Sequence, residues 1–331
     1  MSDGICIAID AMGGDFGPRV VIPASVDALR RHPQLTLQLV GQQAVIAPLL
    51  AKVLSKRSDK DLLSRLTIID AENVIANDER PSHALRKRAD TSMFRAITQV
   101  AEGSAQACVS AGNTGALMAL GRFTLKMLPG IDRPAIITAI PSVCGVSYML
   151  DLGANVDCSA EHLLQFAIMG SVMTRAVEAI SEPRIGLLNV GAEETKGNEQ
   201  VKLASRLIRE HGGLNYVGFI EGDDIFTCKV DVVVCDGFVG NIALKTSEGV
   251  AKMIATFIKR EFTRNLFTKL AALIAMPVLK AFRCSIDPRH YNGATMLGLR
   301  GIVINSHGGA DSMAFGNAIK VAILEVRERV P

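Results

Sequence analysis

The sequence predicts an α/β protein in which a mostly parallel sheet is wrapped by helices. Short apolar runs alternate with segments of helical periodicity along the chain, the pattern of repeated βαβ units. Small and β-branched residues carry that pattern: the 331 residues include 29 Gly, no Trp, 3 Tyr and 12 Phe. Such a vocabulary suits helices packed on a parallel sheet, with glycines in the turns.

The elements follow one order, strand, then Gly/Asn-rich loop, then helix, at least six times. Ile5 to Ile9 leads into DAMGGDFGP and a helix from about Arg19. Ala107 to Val109 leads into SAGNTG and a helix through Leu128, and Tyr148 to Leu152 leads into GANVD and a long helix from about Ser159. Ile185 to Val190 leads into GAEETKGNE and a helix through Arg209. Val230 to Cys235 leads into DGFVGN and a helix from about Ile242, and Ile302 to Ile304 leads into NSHGGAD and a helix to about Arg329. Right-handed crossovers in a parallel sheet put such loops at a common carboxyl edge. Helix N-termini there present unpaired N–H groups and favour an anion. With no fixed-period repeat, low-complexity tract or linker, residues 1–331 are expected to form a single α/β domain.

Composition bounds the function. Hydrophobic residues at 49% and charged residues at 21% describe a globular chain with a substantial core. A net charge of +3 is too small for general nucleic-acid binding. The seven cysteines form no CxxC pair, and most sit in apolar runs, so they are expected to be buried thiols of a reducing cytosol. The apolar start lies between Asp3 and Asp10 and reads as a first strand, not a signal peptide. The apolar stretch Leu270 to Leu279 is interrupted by Pro277 and falls short of the roughly 20 residues a membrane span needs.

From residue 250 to 285 the pattern becomes an amphipathic helical hairpin. Val250, Met253, Ile254, Phe257, Leu266, Leu270, Leu273 and Ile274 fall at helical spacing. Lys252, Lys259, Arg260, Arg264, Lys269, Lys280 and Arg283 interleave, with Glu261 the only acid before Asp287. Two roles suit this segment: a dimer hairpin with solvated charges, and a basic surface for membrane or an acidic partner.

The chemistry is bounded by what is missing. There is no GxxxxGK[ST], no GxSxG, no HExxH and no GxGxxG, which argues against nucleotide-triphosphate, serine-triad, zinc and nicotinamide chemistry. What remains is a set of neutral donors with one lysine, Lys196, set before a helix. Lys196 reads either as a site cation or as a solvated surface lysine, and Asn241 either as a site amide or as a helix N-cap. Acyl transfer to phosphate suits such a set. Phosphate is already an anionic nucleophile and a thiolate leaves readily, so the protein chiefly has to hold two negative regions together.

Those residues resemble the acyl-carrier-protein:phosphate acyltransferases of bacterial phospholipid synthesis, the PlsX family. The resemblance rests on IAIDAMGGDFGP, SAGNTGALMA, RPA, LDLGANVD, LLNVGAEETKGNE, DVVVCDGFVGNIALKTSEG and YNGATMLGLRGIVINSHGGAD, spread from Ile7 to the last helix. It implies a three-layer α/β/α sandwich similar to phosphotransacetylases and isopropylmalate dehydrogenases. It implies transfer of a fatty acyl group from acyl carrier protein to inorganic phosphate, giving acyl phosphate for a membrane glycerol-3-phosphate acyltransferase. A homodimer is implied as well, cytoplasmic and peripherally membrane-associated, with no metal or organic cofactor. Carried over by position, Lys196 and Asn241 are the catalytic pair, Lys196 for phosphate or oxyanion charge and Asn241 for orienting the carbonyl. Asp10, Gly13, Gly14, Asn113, Thr114, Gly115, Asn155, Asp236, Gly237, His307 and Gly308 would line the site. His307 either touches ligand or braces a neighbour. Two other readings stand beside this one: a phosphotransacetylase-like enzyme using acyl-coenzyme A, and a non-catalytic membrane-surface scaffold.

Overall fold

The strand runs and helical stripes read from the sequence form strands and helices, except that the helix expected from about Ile242 begins five residues earlier, at Gly237. The computed structural model describes residues 4–54 and 59–330. The first half comprises β1 (Ile5–Asp10), α1 (Pro18–Arg31), β2 (Leu35–Gly41), α2 (Gln43–Val53), α3 (Lys60–Leu63), β3 (Leu66–Asp70), α4 (Pro81–Arg86), α5 (Ser92–Ala101), β4 (Ala107–Ser110) and α6 (Thr114–Leu125). Next come β5 (Ala135–Ser142), β6 (Gly145–Leu150), α7 (Ala160–Glu178), β7 (Arg184–Leu188), α8 (Glu199–His211), β8 (Asn215–Ile220) and β9 (Val232–Val234). The chain closes with α9 (Gly237–Phe262), α10 (Leu266–Ile286), β10 (Ala294–Leu297), β11 (Ile302–Asn305) and α11 (Ser312–Glu328).

The strands make one 11-stranded sheet in the order β3-β2-β1-β4-β11-β10-β5-β6-β9-β7-β8. Alternate residues along β1 face opposite layers: Ile5, Ile7 and Ile9 pack with α1 and α11, while Ala8 joins a second cluster that includes Met93 and Ile97 of α5 and Leu117 and Leu120 of α6. Leu163 and Phe166 of α7 cover Leu150, Val232 and Val234 in a third cluster. Helices on both faces of one sheet make the expected three-layer sandwich. Within this core Glu325 of α11 is fully buried; Thr295 donates to its Oε1, and Oε2 has no hydrogen-bond partner among the described residues. Burial pushes its carboxyl up to about 8.

The sheet corrects the expectation of one common carboxyl edge. β10 is antiparallel to both β11 and β5, so β5 runs with β1, β4 and β11. The β5–β6 hairpin, with Ser142 paired to Gly145, then reverses the direction, and β9 and β7 follow β6 in parallel. Loops after β1, β4 and β11 therefore open at one edge, and those after β6, β7 and β9 at the opposite edge.

A second correction concerns the cysteines. Cys144 and Cys228 form a disulfide, and the exposed Cys284 is not a buried thiol; Cys108, Cys158 and Cys235 are buried. The pair was not legible because Cys144 and Cys228 are 84 residues apart and meet only through the β5–β6 turn.

The helical hairpin is α9 packed on α10. α9 buries only Gly237 and Gly240, and no described residue of α10 is buried. Phe257, Leu266, Phe267, Leu270, Leu273, Ile274 and Val278 are all exposed. Lys252, Lys259, Arg260, Arg264, Lys269 and Lys280 are exposed too, and the Arg283 side chain lies outside the described residues. Pro277 sits inside α10 without ending it. Among the described residues no helix is long and apolar enough to cross a membrane.

Candidate functional site

Three of the glycine-rich loops meet along the edge where β6, β9 and β7 end side by side. Asp151, directly after β6, organises the first. Its Oδ1 accepts from the N–H groups of Ile136 (2.9 Å) and Ala154 (3.2 Å), and its Oδ2 from the Asn155 N–H (2.6 Å) and Asn155 Nδ2 (3.0 Å). Burial raises the Asp151 carboxyl, while these hydrogen bonds pull it down. Asn155 also donates to the Pro134 carbonyl (2.7 Å) and is buried, so its amide braces the loop from beneath.

α9 starts against that loop. The Gly237 N–H donates to the Asn155 carbonyl at 2.8 Å, and a Cβ on Gly237 would stand 2.6 Å from the same oxygen. A Cβ on Gly240 would overlap the Asp151 carbonyl. Only glycine permits this approach, which explains the GFVG start. Asp236 is the N-cap, accepting from the Val239 N–H at 2.8 Å. Asn241 is therefore not an N-cap: it lies in the second turn of α9, exposed, with its side chain over Gly153.

The third loop carries Lys196. Asn189, just past β7, donates from Nδ2 to the carbonyls of Gly191 (3.0 Å) and Lys196 (3.3 Å). Gly197 takes φ +87° beside the Asn189 amide, where a Cβ would collide with it. Asn198 caps α8 by accepting from the Val201 N–H at 2.8 Å. Lys196 is thus presented, exposed, from a braced turn at the start of α8. Gln200 of α8 donates to the Cys158 carbonyl, tying this loop to the one before α7. Burial pushes the Cys158 thiol up to about 12 and Cys235 well up, so both remain protonated and neither is a nucleophile near neutral pH.

The remaining sequence-predicted residues sit at the opposite edge. Asp10 is buried; its Oδ2 accepts from Ser110 Oγ at 2.6 Å and its Oδ1 from the Met12 N–H at 3.3 Å, and burial raises its carboxyl. A Cβ on Gly13 would lie 2.7 Å from the Gly112 nitrogen, and Gly14 takes φ +89°. Asn113 caps α6 through the Ala116 N–H (2.9 Å) and donates to the carbonyls of Asn77 (2.7 Å) and Glu79 (3.0 Å). Thr114 accepts from Asn305 Nδ2 at 3.0 Å, and Gly115 lies against Pro81. The exposed His307 donates its N–H to Asn292 Oδ1 (3.0 Å), its Nδ1 accepts from the Gly309 N–H (3.0 Å), and the Gly308 carbonyl accepts from the Asp15 N–H (2.9 Å).

The structure therefore brings Asn155, Asp236, Gly237, Asn241 and Lys196 to one edge. Asp10, Gly13, Gly14, Asn113, Thr114, Gly115, His307 and Gly308 gather at the other. The hydrogen bonds of the described residues do not join Lys196 to Asn241 directly. Sequence reasoning missed Asp151, Ser110, Asn189 and Asn292, which hold the loops in shape. Asp151 had a legible signal: an apolar run ending in Asp before a Gly-rich loop, the same arrangement as Asp10 after β1.

An exposed ammonium and an exposed amide beside the N-termini of α8 and α9 make a surface suited to an anion and a carbonyl oxygen. Together with the sheet order this defines an α/β protein of the phosphotransacetylase-like fold. A phosphotransacetylase from Streptococcus pyogenes superposes with a TM-score of 0.66 at 18% identity, covering 99% of this chain and 95% of that one. The EutD phosphotransacetylase from Staphylococcus aureus gives 0.60 at 15% identity, covering 96% and 94%. Residues 5–331 match the family model described as "Fatty acid synthesis protein", and the chain belongs to that family. It is 57% identical over 331 residues to the phosphate acyltransferase of Alkalilimnicola ehrlichii, covering 100% of this chain and 95% of that protein. It is 58% identical over 325 residues to the phosphate acyltransferase of Methylococcus capsulatus, covering 98% and 94%.

Proposed function

We propose that this chain, an acyltransferase by its family, moves a fatty acyl group from the thioester of acyl carrier protein to inorganic phosphate. The observation that carries the reading is the likeness to phosphate acyltransferases over the whole chain, at 57% identity. The exposed Lys196 and Asn241 on one sheet edge support it chemically. A phosphate oxygen attacks the thioester carbonyl carbon, forming the C–O bond; the C–S bond then breaks and the carrier thiolate leaves. Lys196 offsets charge on phosphate and on the developing oxyanion, and the Asn241 amide orients the carbonyl. Asp236, Gly237 and Asn155 hold the start of α9 in register with that step. In this reading the glycine-rich loops at the opposite edge, around Asp10 and His307, bind a part of the substrate remote from the phosphate that reacts beside Lys196. A single preorganised oxyanion donor contributes about 100- to 1,000-fold in rate.

The product, an acyl phosphate, is consumed by an acyltransferase of phospholipid synthesis in the membrane. The exposed apolar and basic faces of α9 and α10 support a homodimer and peripheral attachment to an anionic membrane surface. The test incubates purified protein with long-chain acyl carrier protein and labelled phosphate, with acyl-coenzyme A as a parallel donor. Labelled acyl phosphate from the carrier-protein donor, lost in Lys196→Ala with folding intact, is expected. Equal use of acyl-coenzyme A would move the donor to the free coenzyme, and no acyl phosphate from either donor would remove the enzymatic reading.

A further inference from the structure

The disulfide between Cys144 and Cys228 lies away from the loops of the candidate site. Cys144 is in the two-residue turn between β5 and β6, and Cys228 precedes β9; their Cα atoms are 5.7 Å apart. Both line a solvent-open cavity of about 410 Å³ whose walls include Tyr148, Glu178, Arg184 and Asp231. Cys144 is exposed and Cys228 half-buried, so a small reagent reaches the bridge from the cavity mouth.

Non-covalent contacts hold the two segments together on either side of the bridge. The Val143 N–H donates to the Phe226 carbonyl at 3.0 Å. Arg184 donates from Nη1 to the Cys228 carbonyl at 2.6 Å, while its Nε and Nη2 bind Asp231 at 3.0 and 2.9 Å. A bridge that serves only as a staple joins segments that would otherwise part. Here the segments are already joined, so the two sulfurs stay within reach after reduction. Reoxidation is then intramolecular and its effective concentration high.

We propose that Cys144 and Cys228 form a reversible thiol–disulfide pair, a redox modification site that exchanges with small thiols at the cavity mouth. The thiolate of a low-molecular-weight thiol attacks the exposed Cys144 sulfur, forming a mixed disulfide and releasing Cys228 as a thiolate that takes a proton. A second thiol then attacks the mixed disulfide, leaving Cys144 reduced and the small thiol oxidised to its own disulfide. Two electrons and two protons pass to the protein. The bridge ties the amino ends of the region holding β6 and β9, which pair directly (Tyr148 with Val232, Leu150 with Val234) and whose far ends carry Asp151 and Asp236. Its oxidation state thereby changes how tightly the β5–β6 turn is held, while β6 and β9 stay paired.

The experiment equilibrates the folded protein in glutathione buffers of graded reduced-to-oxidised ratio, quenches with acid, alkylates, and assigns the labels by peptide mass spectrometry. Expected are labels appearing on Cys144 and Cys228 together as the buffer becomes reducing, and disappearing together on reoxidation. Amide exchange at residues 142–145 is expected to rise severalfold in the reduced form. Cys228→Ser is expected to trap glutathione on Cys144. A bridge that resists reduction until denaturant is added would overturn the proposal and leave a structural staple. So would two cysteines that stay alkylatable in oxidised glutathione, or a Cys228→Ser variant that takes up no glutathione. None of these readouts depends on the acyltransferase activity.

Discussion

Replacing Glu325 by Gln tests the linkage between its burial and the pH dependence of folding. The carboxyl is fully buried between α11 and β10, and burial lifts it from 4.5 to about 8, with only the Thr295 hydrogen bond opposing. The folded state then holds a proton that the unfolded state releases once the pH passes 4.5. Protons bound are more numerous in the native state, so stability falls as pH rises through this window. At about 1.4 kcal/mol per pH unit, the loss from this group between pH 5 and pH 8 is about 3 to 4 kcal/mol. Gln keeps the shape and the acceptor for Thr295 but cannot ionise. Glu325→Gln is therefore expected to match the parent near pH 5 and to exceed it in denaturation midpoint near pH 8. Asp10 and Asp151 are also raised by burial and slope the same way, but the difference between parent and variant isolates Glu325. Urea or thermal denaturation at both pH values provides the assay. Parallel pH profiles for the two proteins would refute the reasoning.

Gly240→Ala places a methyl group on the Asp151 carbonyl, so it is expected to displace the start of α9, cost about 1 to 3 kcal/mol, and abolish acyl phosphate formation; melting and turnover measured together check this. Ser110→Ala withdraws a hydrogen bond from the buried Asp10 and is expected to lower stability by about 1 to 3 kcal/mol, read from the denaturation midpoint. Neutralising the exposed Lys259, Arg260 and Arg264 to Gln is expected to weaken binding to anionic vesicles by roughly 100-fold, at about 1 kcal/mol per charge, while soluble turnover persists. Loss of soluble turnover with intact folding would instead assign those residues to carrier-protein docking.

Periodicity and loop composition determined the fold class, and they did so because both are local. Apolar runs such as ICIAID and VVV form buried strands wherever they lie, and Asn113, Ser159, Asn198 and Asp311 cap the helices that follow their loops. The family motifs were equally legible, because they are strings of neighbouring residues. What lay beyond sequence was strand direction. Nothing local in the β5–β6 run states that a two-residue turn reverses half the sheet, and that reversal sends Asp10 and Asn155 to opposite edges. The partners of Asp151 and the meeting of Cys144 with Cys228 were hidden for the same reason. Asn241 shows how the two levels divide. Sequence placed it near a helix start, but only the close approach of Gly237 and Gly240 to the Asp151–Asn155 loop decided that α9 begins at Gly237. Sequence alone thus determined which strand ends lead into Gly/Asn-rich loops and helix starts. Tertiary structure decided which of them face one another, since pairing order and strand direction arise from contacts between residues far apart in the chain.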